Sequence, residues 1–181
     1  IRSDVEQYAR LRLASAVLQR AVERYRAQHQ GPVLARASRL FAELTLGSFD
    51  GLRADYNDQG EAVLVGLRPN QQVVGIEGMS DGTRDQLYLA LRLASLEKSL
   101  AEREPLPFIV DDILIMFDDA RAAAALRALA DLAQKTQVVF FTHHRHVVEL
   151  AESGLPAAAR RIHILDRCVI PAVVSREEPI R

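Results

Sequence analysis

PLPFIVDDILIMFDD, residues 105 to 119, decides how this chain folds. Leu106, Phe108, Ile109 and Val110 make a continuous apolar run of strand length, of the kind a buried parallel strand shows. The run ends on two carboxylates, Asp111 and Asp112, and Asp118-Asp119 then opens a helix, ARAAAALRALADLAQ. A second apolar strand, QVVFFT (137 to 142), follows. After it come a short helix, HRHVVELAES, and a third strand, RRIHILD (160 to 166). Strands and helices alternating at this pitch predict a parallel α/β layer with right-handed crossovers.

Upstream, EGMSDGTRDQLYLALRLASLE (77 to 97) reads as a small-polar turn, Ser80-Asp81-Gly82-Thr83, opening a helix rich in Leu and Ala. Before it, GLRADYNDQGEAVLVGLR reads as a β-hairpin around Asn57-Asp58-Gln59-Gly60, and Gln72 to Ile76 as a short extended piece. Residues 1 to 29 contain neither Gly nor Pro. Their apolar positions Ile1, Val5, Tyr8, Leu11, Leu18, Val22 and Tyr25 fall at helical steps, which suits the end of a coiled coil. Gly31-Pro32 is expected to break that helix, with Pro32 in the first turn of another reaching Leu46.

Composition narrows the class. The chain has 181 residues, 49% of them apolar, and a formal net charge of -1, which fits one globular domain and excludes a disordered or polybasic one. Its one cysteine, Cys168, excludes an internal disulfide framework and suits a reducing, cytoplasmic setting. No apolar run is long enough to span a membrane. The start inside a helix, without Met, suggests a piece of something longer.

In open parallel sheets ligands sit at the carboxyl ends of the strands. Here those ends carry Asp111-Asp112 and Thr142-His143-His144. A strand ending in Asp can reach a phosphate-bound Mg²⁺, a second carboxylate can orient water, and a neighbouring His can touch a transferred phosphate. Each feature also has a plain structural use. The Asp pair can be a turn or cap, the histidines can be surface groups, and the Ser80 turn can be a helix N-cap, with Thr83 and Gln86 fitting a capping box. A zinc site made of His143, His144 and His146 lacks a Cys or other ligand partner in the sequence.

Taken in order, four elements resemble the C-terminal lobe of an ABC-class ATPase head. More narrowly they are similar to the SMC/SbcC branch and its YhaN-like proteins. Met79-Ser80-Asp81-Gly82-Thr83 resembles the signature motif and Phe108 to Asp112 the Walker B strand. Met116-Phe117-Asp118 resembles the D-loop, and Thr142-His143 the switch-histidine loop. The resemblance spans about residues 32 to 166, with residues 1 to 30 matching the returning arm of a coiled coil and 31 to 181 the lobe. It implies the C-terminal half of an SMC-type P-loop ATPase head: a parallel sheet core with flanking helices, a β-hairpin and a coil-end helix.

The resemblance also implies a mechanism. Two heads sandwich ATP, and the signature turn of one faces the nucleotide of the other. Asp111 would help hold Mg²⁺, Asp112 would polarise the attacking water, and His143 would contact the γ-phosphate. Ser80 and Gly82 would meet the partner's phosphate, and Asp118 would link the heads. DNA and a nuclease subunit are implied as partners. Two departures stand out: Asp81 replaces the first signature glycine and is expected to cap the turn or face away, and Asp112 replaces the usual Glu. A phosphate loop, Gly-x-x-x-x-Gly-Lys-Ser/Thr, is missing, since Lys98 follows Glu97 and Lys135 follows Gln134. ATP binding then requires an N-terminal lobe, from the same or a separate chain. The rival readings are a degenerate head kept for dimerisation, and a phosphotransfer domain using Asp111-Asp112.

Overall fold

The computed structural model describes residues 2–57 and 59–165. Helix α1 (Arg2–Leu44) leads into an antiparallel sheet of β1 (Gly51–Tyr56), β2 (Ala62–Leu67) and β3 (Val73–Gly75), in the order β1-β2-β3. Helix α2 (Asp81–Glu102) follows, then β4 (Phe108–Asp111), α3 (Asp119–Leu132), β5 (Val138–Phe141) and α4 (Arg145–Gly154). β4 and β5 pair in parallel, Phe108 opposite Val138 and Asp111 opposite Phe141.

The core forms where α1, α2 and α3 meet. Ala37, Leu40, Phe41 and Leu44 of α1 are buried with Leu87, Ala90, Leu93 and Ala94 of α2 and Ala122, Ala125, Leu126 and Leu129 of α3. These positions recur at three- and four-residue steps, so each helix turns one apolar stripe inward. Arg36 of α1 grips Glu97 of α2 through two hydrogen bonds of 2.7 and 3.0 Å, and Lys135 lies 3.6 Å from the same carboxylate.

Three expectations change. Gly31-Pro32 does not break the first helix; α1 runs through Pro32 as one 43-residue helix. Pro32 forfeits a ladder bond, at a cost of about 3 kcal/mol. Gly31, lacking a Cβ, relieves the clash a residue before proline ordinarily suffers, and the packed stripe beyond it keeps the helix going. The third strand does not form: residues 160–165 are irregular, Asp166 lies outside the described residues, and Ile164 is 87% exposed. Alternating apolar residues make a segment able to be a strand, but it must still pair with an edge, and this one pairs with neither β4 nor β5. Lastly, β4 and β5 are covered on one face only. Phe108 and Val110 are buried, whereas Ile109 is 61% and Phe141 45% exposed.

Candidate functional site

The site is built where β4 and β5 end side by side. Asp112 follows β4 with a left-handed backbone (φ 45°), a region Asp tolerates better than most residues. Its N–H donates to the Phe141 carbonyl at 3.0 Å, extending the ladder by one rung and locking the two strand ends together. His143, two residues beyond β5, then meets Asp112 through Nδ1 and the carboxylate Oδ2. An ionised carboxylate only accepts, so Nδ1 carries the proton in this contact and Nε2 is left for another partner. The Thr142 side chain foremost, and then His143, hold the Asp112 carboxyl below its ordinary value. A carboxylate is a weak proton acceptor at neutral pH, and suits orienting a water better than deprotonating it. Its other oxygen, Oδ1, is buried and has no hydrogen-bond partner among the described residues. Asp111, the last residue of β4, is exposed.

The structure thus brings Asp111, Asp112 and His143 to one edge. Ser80, Gly82 and Asp118 stand outside that hydrogen-bonded group. Ser80 is the N-cap of α2: its Oγ accepts from Thr83 N at 3.3 Å and bonds the Thr83 hydroxyl at 2.9 Å. The Thr83–Gln86 capping box therefore does not form. Gln86 faces inward, buried, with its Oε1 unpaired among the described residues, because the helical stripe Gln86-Leu87-Ala90 points to the core. Asp81 is paired with Arg84 rather than capping the turn. Asp118 is the N-cap of α3, accepting from Arg121 N and Arg121 Nη1, both at 2.9 Å.

Gly82 has a reason the sequence did not disclose. A Cβ there would lie 2.7 Å from the Met116 carbonyl oxygen, so the bare glycine lets α2 seat against the loop before Asp118. His144, which the sequence places at the same strand end as His143, has its ring centroid 3.9 Å from that of His143.

Strand ends, capped helices and core together have the fold of the C-terminal lobe of an SMC-type ATPase head. An SMC ATPase structure, described for ATP-driven dimerization and DNA stimulated activation, matches 70% of this chain and 76% of its own, with a TM-score of 0.56 at 20% identity. The Pyrococcus yayanosii Smc head domain with a coiled coil and joint matches 81% of this chain and 28% of its own, at TM-score 0.55 and 18% identity. The Pyrococcus furiosus Smc head domain, bound to the C-terminal domain of ScpA, matches 66% and 30%, at 0.52 and 19%. At such identities the likeness is one of fold.

Among curated proteins, the chain is similar to YhaN of Bacillus subtilis (strain 168), 27% identical over 155 residues. The match takes in 85% of this chain and 16% of YhaN, so the chain spans about a sixth of that relative's length. No family model matches the chain.

Proposed function

We propose that this chain is the C-terminal half of an ATP-binding and hydrolysing head that dimerises around nucleotide. The observation that carries the reading is the Asp112–His143 pair, with Asp111 beside it, at the carboxyl ends of adjacent parallel strands. Asp112 orients the attacking water, and the free nitrogen of His143 contacts the γ-phosphate. Ser80 and the N–H groups of the first turn of α2 face the nucleotide of a second head, where the helix dipole favours negative charge. Arg84 offsets the Asp81 charge beside that turn. Asp118 links the heads.

The residues fit Mg²⁺ by the chemistry of their donors: an exposed carboxylate, Asp111, ends β4 and is followed directly by a second one, Asp112. The ion would be held chiefly by Asp111 and would supply charge neutralisation on the phosphates. The missing phosphate loop is supplied by an N-terminal lobe. The uncovered face of β4 and β5, with Ile109 and Phe141, supports docking of further sheet there. Residues 1 to 30 form the arm of a coiled coil, whose apolar positions Tyr8, Leu11 and Leu18 are exposed and await a partner helix. A role in DNA maintenance, with DNA and a nuclease subunit as partners, extends the same reading. The second reading, a non-catalytic dimerisation module, is favoured by Asp81 and Asp112, which stand where the resembled motifs carry Gly and Glu.

The test adds a lobe bearing the phosphate loop and measures ATP turnover. Asp112→Asn and His143→Ala should each lower kcat by on the order of 100-fold or more. Turnover left intact by both would refute the assigned roles. ATP-dependent pairing without turnover in the wild type would establish the second reading.

A further inference from the structure

We propose that Asp112, His143 and His144 form a site for one divalent transition-metal ion of the zinc or cobalt type. Each offers one ligand atom, and these atoms lie within 4.8 Å of one another. Donors around an ion with bonds of about 2.0–2.2 Å sit roughly 3–4 Å apart, so small side-chain rotations close the site. His143 is free to make them, its side chain being 73% exposed. The carboxylate partner that the three histidines lack in the sequence is supplied across the strand ends by Asp112, 31 residues away from His143.

Two further observations point to a ligand here. Asp112 Oδ1 accepts no hydrogen bond of good geometry among the described residues, so the carboxylate can turn to offer either oxygen without breaking one there. The frame is also already fixed: Asp112 N bonds the Phe141 carbonyl at 3.0 Å, and His144 N bonds Thr142 Oγ1 at 3.1 Å. Two imidazoles and one carboxylate favour zinc, cobalt or nickel over magnesium or calcium, which take oxygen ligands. His146 is not one of the three; its ring stands edge-on to His144 with centroids 5.5 Å apart. The ion would cover groups assigned above to water and γ-phosphate, and so suppress turnover. That consequence rests on the nucleotide reading; the ion site does not.

The experiment titrates the 181-residue chain with Co²⁺, without nucleotide, following the visible absorption of the protein-bound ion, with Zn²⁺ and Mg²⁺ as competitors. One equivalent should bind, displaced by Zn²⁺ and not by millimolar Mg²⁺. His144→Ala should weaken binding on the order of 10–100-fold, and His146→Ala should leave it unchanged. Zn²⁺ should raise the melting temperature of the wild type and of His146→Ala but not of His144→Ala, whose far-UV circular dichroism should match the wild type. No saturable binding by the wild type, equal loss in His146→Ala, or unchanged binding in His144→Ala would each overturn the site.

Discussion

At Gly82 one missing methyl group joins two motifs that lie 34 residues apart. Alanine is the better helix former by about 1 kcal/mol, so propensity alone predicts that Gly82→Ala stabilises. The added Cβ would instead press on the Met116 carbonyl, a backbone group that cannot swing aside. Overpacking of this kind costs about 1–3 kcal/mol. We therefore expect a net loss of stability, read as a lower urea midpoint; a higher midpoint would show that the turn and the loop are not in contact. Asp112 offers the converse case. Asparagine tolerates the left-handed backbone as aspartate does, so Asp112→Asn should remove the charge while leaving the fold in place. The pairing of strand with Asp-Asp, and of strand with histidine, was legible in the sequence because each lies at the end of an apolar run. The Gly82–Met116 contact and the nearness of His144 to Asp112 were not, since both depend on which strand and loop ends meet in space.

Helix α1 shows what an element gains from its neighbours. Gly31-Pro32 is a sound local stop signal, yet the stripe from Val33 to Leu44 is packed so thoroughly on α2 and α3 that the helix persists through it. Replacing Pro32 by Ala should raise stability by about 2 kcal/mol, being the roughly 3 kcal/mol helical penalty less about 1 kcal/mol of unfolded-state entropy. Thermal unfolding followed by circular dichroism would show it; a fall would mean that Pro32 starts a separate helix. The Arg36–Glu97 pair fastens α1 to α2 and makes a pH-dependent prediction. Its hydrogen bond to Arg36, above all, holds the Glu97 carboxyl below its ordinary value of 4.5. A depressed carboxyl stabilises above its unfolded value and loses that contribution as pH falls through its folded one. Glu97→Gln should thus lose about 1 kcal/mol at neutral pH. The difference from wild type should shrink below about pH 4.5. A difference constant down to pH 3 would contradict the ion pair.

For the whole molecule, the order of elements and the parallel β4–β5 pair could be read from alternating apolar runs and glycine or proline punctuation. The sheet's incompleteness could not. Ile109, Phe141 and the irregular run at Ile162 to Leu165 carry the apolar character of buried strands while standing exposed in this chain. Sequence records the burial an element is suited to, and pairing or covering must come from whatever packs against it. In the proposed function, the first turn of α2 and the edge at Asp112 serve different nucleotides in a two-fold pair of heads, which yields a sharp test. Heads carrying Ser80→Arg and heads carrying Asp112→Asn, each joined to the lobe with the phosphate loop, should be nearly inactive alone. Mixed in equal amounts, half of the pairs hold one intact composite site, so turnover should recover to about a quarter of wild type by the symmetry of a two-fold dimer. A mixture no more active than its components would contradict a site shared between two heads.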